Sequence, residues 1–298
     1  MDTALGSIHA AYVDAKLACD RSYVATETGE AIKRLAEISL RFLTDECKVV
    51  ALKSKVPGKE YFSFARRGNR RLVARPANAH LFIRDPRKIS LSWREWERGR
   101  IAPRSFARFS YTVVLAPCLA MELFDRQNKK APATYFECLI GHMFARELGV
   151  NPQKQASIRV QGRSVRLTMD FLFAGQSGRQ IHLPVKMSTR ERVVQAWAHQ
   201  RILDSAHGEN VFRGIMVLFS ETKLDSRTRE VVEICVPDQW LVYQTLLSKM
   251  ERIYYFDVPC RYKTLTESFP EVIQIKQFGE FFKERASLFG RRGRRRQT

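Results

Sequence analysis

The sequence predicts a mixed α/β fold, in which a central sheet is flanked by helices and preceded by a mainly helical N-terminal region. In the second half of the chain, β-branched and aromatic runs alternate with helical patterns; the strand-like runs are FRGIMVLFS, EVVEICVP and RIYYFDVP, and the helical one is WLVYQTLLSKM. Residues 8–50 instead carry apolar side chains at helical spacing. Strands that alternate with helices favour a sheet covered by helices on both faces.

The N-terminal region predicts two or three helices between residues 8 and 50. Their apolar positions recur every three or four residues, at Ala10, Val13 and Leu17 and then at Ile32, Leu35, Ile38 and Phe42. We expect these helices to support the core or to form a dimer face.

The segment from Val56 onward mixes aromatic and basic residues. Tyr61, Phe62 and Phe64 lie close in sequence to Arg66, Arg67, Arg70, Arg71 and Arg75. Such interleaving suits a surface that binds phosphates and stacks on an exposed base. The alternative is a set of core aromatics beneath a solvated basic loop.

Three further helices are predicted before the central strands. Trp93 and Trp96 lie three residues apart, which is typical of a short helix that packs against the core. A helix is expected around 115–124. The longest weakly polar run of the chain, YTVVLAPCLAM, is broken by Pro117 and is too short to span a membrane. The third helix, TYFECLIGHMFARELGV, contains Glu137.

Residues 165–186 predict a β-hairpin that pairs an acid with a lysine. Apolar residues alternate in both strands, and a turn centred on Gly178 places Asp170 opposite Lys186. Cross-strand Cβ atoms lie about 5 Å apart. A carboxylate can then hold Mg²⁺ while the ammonium orients water or stabilises phosphoryl charge. The alternative is an ordinary cross-strand salt bridge.

The residues after Lys186 predict a helix suited to reading bases. Ser188 and Glu191 fit a capping box, and the apolar stripe of the helix is Val194, Trp197, Ala198 and Ile202. Its first turn presents Arg190, Glu191 and Arg192. Arginine donates to guanine and glutamate accepts from cytosine, so the triplet suits adjacent G·C pairs in a major groove. Otherwise Glu191 only caps the helix and the arginines are solvated.

Together these residues resemble the PD-(D/E)XK Type II restriction endonucleases that read CCGG or CCNGG. The likeness is to the SsoII-like branch, with PspGI, EcoRII and NgoMIV as more distant relatives. Beyond the aspartate, VK and STRER motifs, it continues through RVVQAWAHQRILD, EICVPDQWLVYQ and IYYFDVP. It implies a restriction-endonuclease-like fold in which Asp170 and Lys186 bind metal and activate water. It also implies that Arg190, Glu191 and Arg192 read the C·G pairs.

The resemblance leaves the third acidic residue open. The family's acid two residues before the lysine is Pro184 here, and in this branch a glutamate on the following helix replaces it. That helix instead carries His199 and Gln200, which become candidates for supporting the metal ligands. Our candidate for the missing acid, as a catalytic residue and metal ligand, is Glu137; the alternative is surface charge on an amphipathic helix. Because CCNGG readers of the family flip central nucleotides onto an aromatic, Tyr61 and Phe62 are candidates for base stacking.

Composition points to nucleic acid as the partner. The 298 residues include 51 Lys and Arg against 31 Asp and Glu, which gives a net charge of +20. A pI near 10.0 is typical of proteins that bind a phosphate backbone, RNA-binding proteins included. The six cysteines form no C-x-x-C pattern, so we expect free thiols in a reducing compartment and no zinc site. Because the longest apolar run is too short to span a bilayer, we expect no membrane association. The resemblance to restriction endonucleases implies a cytoplasmic location in a prokaryotic cell.

We therefore divide the chain into three regions. Residues 1–125 form a helical and basic/aromatic DNA-gripping region, residues 126–289 form a catalytic core with its recognition helix, and residues 290–298 form a disordered basic tail. The predicted function is Mg²⁺-dependent cleavage of double-stranded DNA at a short G·C palindrome, and CCNGG is the first candidate sequence. We expect the protein to act as a homodimer whose two-fold axis matches that of the palindrome. A basic nucleic-acid-binding protein without nuclease activity, and a repair or recombination nuclease, remain open alternatives.

Overall fold

The computed structural model describes residues 3–67, 73–175, 178–188 and 193–288. The basic tail predicted for residues 290–298 therefore lies outside the described part of the chain. The helices and strands of the first half, in order, are α1 (Thr3–Arg21), α2 (Thr26–Asp45), β1 (Cys47–Ser54), β2 (Tyr61–Arg66), β3 (Ala77–Asn78), α3 (Pro86–Glu97), α4 (Pro103–Phe124) and α5 (Lys130–Leu148).

Strands and helices alternate through most of the second half, as the sequence predicts. The elements are β4 (Gln153–Val160), β5 (Arg163–Ala174), β6 (Gln180–His182), β7 (Val185–Lys186), α6 (Val194–His207), β8 (Phe212–Leu218), β9 (Thr222–Leu224), β10 (Glu230–Glu233), α7 (Pro237–Val242) with a following π-helical turn (Tyr243–Leu247), β11 (Arg252–Tyr255), α8 (Cys260–Ser268), β12 (Ile275–Gln277), a 3-10 turn (Phe278–Glu280) and α9 (Phe281–Leu288).

The larger sheet has the strand order β12-β11-β8-β6-β5-β4, and β7 pairs with β8 beyond the end of β6. Strands β4, β5 and β6 are antiparallel, whereas β6, β8, β11 and β12 run parallel. Both faces of β8 are buried: Ile215 and Val217 belong to the main core with α1, α2, α4 and α5, and Met216 and Leu218 pack with Trp197 on the α6 side. The mixed sheet with helices on both faces is thus confirmed.

A smaller sheet has the order β3-β2-β1-β10-β9. Its centre is a parallel pairing of β1 with β10, in which Lys53 lies opposite Glu230. The sheet therefore combines strands from before and after residue 125.

A buried polar cluster joins the two sheets. The ammonium of Lys59 lies 3.0 Å from a carboxylate oxygen of Glu233 and 2.9 Å from one of Asp257, and it donates to the carbonyl of Val258. Asp257 also accepts hydrogen bonds from the Tyr61 hydroxyl at 3.0 Å and from the side-chain amide of Asn78 at 3.2 Å. These five residues, Lys59, Tyr61, Asn78, Glu233 and Asp257, are called the Lys59 cluster below.

The structure corrects the prediction that Tyr61 or Phe62 stacks on a flipped base. Both side chains are only 4% exposed. The Tyr61 hydroxyl is held in the Lys59 cluster, and the Phe62 ring packs edge-on against Phe64 and Phe82 while Arg84 covers it. These rings are core residues, because β2 has buried side chains on both faces.

Helix α4 is the central helix of the main core. The helix begins at Pro103 and continues through Pro117, so it is longer than the helix predicted around 115–124. Among the described residues α4 alone has the length and hydropathy of a membrane-spanning helix, but 83% of its apolar window is buried inside the protein. A core helix meets the same criteria. Trp93 and Trp96 of α3 pack against Phe109 of α4, as expected for a helix that packs against the core.

Candidate active site

Asp170 and Lys186 are in direct contact. The lysine Nζ lies 2.7 Å from Oδ2 of Asp170 and 3.0 Å from Oδ1, and the backbone N–H of Val185 donates to Oδ2 at 2.9 Å. Both side chains keep about a quarter of their surface exposed, 22% for the aspartate and 26% for the lysine. The pair is therefore fixed by hydrogen bonds and is still open to solvent.

The contact arises by a different route from the one the sequence predicted. In the ladder between β5 and β6, Leu172 pairs with His182, so the hairpin centre lies one residue before Gly178. After β6 the chain no longer pairs with β5. Strand β7 pairs with β8 instead, and Lys186 lies opposite Leu218. Asp170 consequently points into the gap where β5 and β7 separate, rather than at a cross-strand partner.

A β-bulge in β5 sets the direction of Asp170. Between the pairs Gln153–Leu172 and Gln155–Thr168, β4 has the single residue Lys154 and β5 has the three residues 169–171. Bulges of this kind interrupt the alternation of side chains and are common beside active sites. Here Met169 packs toward α6, whereas Phe171 packs into the main core.

Glu137 shares the electrostatic environment of this pair. Burial and, to a smaller extent, the negative charge of Asp170 together raise the pKa of Glu137 to about 6, while Lys186 and Lys154 oppose the shift. Two carboxylates that repel one another form a site that favours a cation. The structure therefore brings the three predicted catalytic residues into one neighbourhood.

Gly141 allows helix α5 to bring Glu137 this close. A Cβ at Gly141 would lie 2.6 Å from a ring carbon of Tyr23 and 2.8 Å from the ring of Phe171, which follows Asp170 directly. Gly141 is one helical turn after Glu137, so the absent side chain lets α5 pack tightly on β5. A glycine inside a strongly apolar helix is the sequence signal that could have revealed this close approach.

His199 and Gln200 are adjacent in sequence but have different surroundings. The half-buried His199 lies within range of both charged groups: burial lowers its pKa, Asp170 raises it and Lys186 lowers it. Gln200 is buried and its amide is fully engaged, because it accepts from His182 at 2.9 Å and donates to Phe212 O and Asp204. Gln200 therefore anchors α6 to the sheet and does not contact Asp170 or Lys186, which corrects its assignment as a support for the metal ligands.

The proposed base-reading residues Arg190, Glu191 and Arg192 lie outside the described residues. The described helix α6 begins at Val194 with Val193 at the N-cap position and no side-chain cap, so Ser188 does not cap it. Its apolar stripe also differs from the prediction, since Val194 and Ile202 are 37% and 38% exposed. The buried positions are Val193, Ala196, Trp197, Gln200 and Leu203.

The donor set fits a hard divalent cation. Within the described ranges no three His, Cys, Asp or Glu side chains are grouped to hold a metal ion. Mg²⁺ commonly binds through one or two carboxylates and completes its octahedron with water and substrate phosphate oxygens. Glu137 and Asp170 supply that number of carboxylates.

Comparison with known proteins identifies the fold. No protein-family model and no curated protein sequence matches the chain. The crystal structure of the Type IIP restriction endonuclease Kpn2I is similar, with a TM-score of 0.77 and 25% sequence identity over 97% of this chain and 98% of that chain. A complex of the restriction endonuclease PspGI with substrate DNA gives a TM-score of 0.45 and 14% identity over 68% and 92%, a likeness too low to add to the first. Over nearly its whole length, therefore, the chain has the mixed α/β fold of a restriction endonuclease.

Proposed function

We propose that this protein is a Type II restriction endonuclease that uses Mg²⁺ to cut double-stranded DNA at a short G·C-rich palindrome, with CCNGG as the first candidate sequence. One observation carries the proposal: Asp170 and Lys186 are in contact at a bulge with Glu137 beside them. The similarity to Kpn2I over nearly the whole chain supports a DNA-cleaving restriction enzyme.

Each residue of the site has a role that its geometry suits. When bound, Mg²⁺ would be held by the carboxylates of Glu137 and Asp170 and would polarise the phosphoryl oxygen. The Asp170 carboxylate fixes the ammonium of Lys186 at 2.7 Å, where the ammonium can orient the attacking water or stabilise charge on the phosphate. Glu137 must be ionised to act as a ligand. The products would be a 5′-phosphate and a 3′-hydroxyl.

A homodimer is the simplest assembly for this reaction. A palindrome offers two equivalent half-sites, and a two-fold dimer presents one active site and one Arg190–Arg192 segment to each. The net charge of +20 favours binding to the polyanionic backbone of the duplex.

Incubation of the purified protein with plasmid and Mg²⁺, followed by sequencing of the ends, tests the activity. We expect discrete fragments that end at one short palindrome. Asp170→Ala and Lys186→Ala should abolish cleavage but keep specific binding, because neither residue reads bases. Glu209→Ala, which removes an exposed carboxylate, is the control and should cut normally. Random fragments would indicate a non-specific nuclease, and DNA retention without cutting would contradict enzymatic function.

Base reading by Arg190 and Arg192 is tested by binding. Alanine at either position should reduce discrimination at one G·C pair by about 1–3 kcal/mol, roughly tenfold to a hundredfold, with a smaller loss on random duplex. Equal losses on the cognate and scrambled duplexes would mean that the arginines contact only phosphates. The melting temperature, measured in parallel, controls for loss of folding.

A further inference from the structure

The hairpin formed by β4 and β5 extends the strand that carries Asp170. Residues 153–169 contain four cationic side chains and no acidic one: Lys154, Arg159, Arg163 and Arg166. All four are exposed. Within the described part of the chain, the structure gives no ion pair to Arg159, Arg163 or Arg166. Unpaired like charges on one hairpin repel each other, which favours a polyanionic partner.

The two faces of this hairpin differ in chemistry. The pairs Gln155–Thr168, Ser157–Arg166 and Arg159–Ser164 alternate with the pairs Ala156–Leu167 and Ile158–Val165. Because side chains alternate along a strand, the first set shares one face, which is called the polar face below. On the other face Ala156, Ile158 and Leu167 pack toward Leu203 of α6 and Phe212 of β8. The polar face is thus turned away from α6 and carries only groups that can form hydrogen bonds.

The polar face begins beside the candidate active site. Arg166 precedes Asp170 by four residues and Ser164, opposite Arg159, precedes it by six. At about 3.3 Å per residue these positions lie roughly 13 to 20 Å from Asp170. The same span covers about four to six base pairs of duplex at about 3.4 Å each. The face therefore has the length to follow DNA outward from the cleaved bond.

We propose that the polar face binds the phosphate backbone that flanks the recognition site, with Arg159 and Arg166 as the principal contacts. Guanidinium groups bind phosphate oxygens with two parallel hydrogen bonds, and serine, threonine and glutamine side chains add neutral donors. Arg163 belongs to the opposite face, paired with Val160 at the end of the hairpin. Arg163 therefore serves as a matched control, because it carries the same charge on the same hairpin but on the other face. This inference rests on the proposed function, because it takes DNA as the substrate of the adjacent site.

Duplexes with short and long flanks test the inference. The wild type should bind a duplex with ten flanking base pairs on each side more tightly than one with two. Arg159→Ala and Arg166→Ala should each weaken binding to the long duplex by about tenfold and leave the short one nearly unchanged. The slope of log affinity against log salt should decrease by about one for each arginine. The cleavage rate at saturating DNA should remain that of the wild type, and Arg163→Ala should retain the flank dependence.

The outcomes separate this inference from the proposed function. If the wild type binds DNA without cutting, the proposed function fails, whereas flank-dependent binding that is lost in Arg166→Ala still supports the polar face. Equal losses in Arg163→Ala and Arg166→Ala would overturn the inference, because only total charge would then matter. Unchanged binding in Arg159→Ala and Arg166→Ala overturns it as well. So does a change of oligomeric state in these variants without a change in DNA affinity, which would identify a protein interface. Sedimentation and melting temperatures complete the experiment.

Discussion

At the residue scale, Glu137 gives the candidate site its dependence on pH. Burial and the charge of Asp170 raise the pKa of Glu137 to about 6, from an ordinary value of 4.5. Between pH 4.5 and pH 6, the folded protein therefore keeps a proton on Glu137 that the unfolded chain has already released. Above pH 6 the ionised carboxylate destabilises the free protein. A bound cation would remove that penalty.

Glu137→Gln should consequently stabilise the protein and inactivate it. We expect the free energy of unfolding to rise by about 1 to 2 kcal/mol at pH 8, because about 1.4 kcal/mol corresponds to each unit of pKa shift. At pH 4 the difference should vanish. Urea unfolding at both pH values measures this effect.

Activity and metal binding supply the complementary readouts for Glu137. Wild-type cleavage should rise between pH 5 and 7 as the carboxylate ionises. Mg²⁺ should raise the melting temperature of the wild type but not that of Glu137→Gln, since ligand binding stabilises only a state that can bind it. A variant that retains both cleavage and the response to Mg²⁺ would show that Glu137 is surface charge.

The charged pair could be predicted from sequence more readily than its surroundings. Alternation in the strands and a glycine turn bring Asp170 and Lys186 near each other even though the ladder is displaced by one residue at its centre. The bulge depends on packing against two different clusters, which alternation alone does not encode. The prediction that Tyr61 or Phe62 stacks on a base is wrong because aromatic residues near arginines have the same local pattern in a core as on a binding surface.

At the scale of elements, the distance between α5 and β5 determines whether Glu137 reaches the site. That distance depends on the missing side chain at Gly141. The helix itself was predicted from apolar spacing, but its depth against the sheet was not. Close approach depends on Tyr23 and Phe171, which are remote in sequence from the helix.

Gly141→Ala should push α5 away from β5. The new methyl group would overlap both rings, so we expect a loss of about 1 to 3 kcal/mol in stability and a large loss of cleavage at temperatures where the protein is still folded. Gly6→Ala is the matched control. Gly6 lies in α1 with nothing within 4 Å of its Cβ position, so alanine there should stabilise by about 0.5 to 1 kcal/mol. Normal activity in Gly141→Ala would mean that α5 can shift without harm.

At the scale of the whole molecule, two buried histidines limit stability in acid. Burial lowers the pKa of His142 and of His182 to about 4 in each case. His142 bonds through Nδ1 to the carbonyl of Tyr23 at 2.7 Å, and His182 bonds to Gln200. Both are neutral in the folded protein at pH 5, where they would be protonated in the unfolded chain. Their contribution is complete above pH 6.5 and decreases as the pH falls toward 4.

The free energy of unfolding should therefore fall by about 2 to 3 kcal/mol per histidine between pH 7 and pH 4.5. Urea titrations across that range measure the slope. His142→Gln should lower stability at pH 7 and also flatten the slope, whereas His9→Gln, an exposed position on α1, should leave both unchanged. A slope that is the same in wild type and His142→Gln would show that this histidine does not contribute to acid sensitivity.

The general architecture was predictable because strands and helices alternate in the second half of the chain. The smaller sheet was not, since its central pairing joins residues separated by about 180 positions, Lys53 and Glu230. Nothing local in either strand encodes the other. Parallel strands brought together from distant segments become evident only when the whole chain has folded.

The Lys59 cluster limits how the chain can be divided into fragments that fold independently. A cut after residue 125 would leave Glu233 and Asp257 in one fragment and their cation in the other. An unpartnered buried charge costs about 3 to 5 kcal/mol, a large share of the stability of a typical domain. We therefore expect the two regions to unfold together in one cooperative transition. In a chimaera, an N-terminal region from another enzyme would have to bring its own equivalents of Lys59, Tyr61 and Asn78.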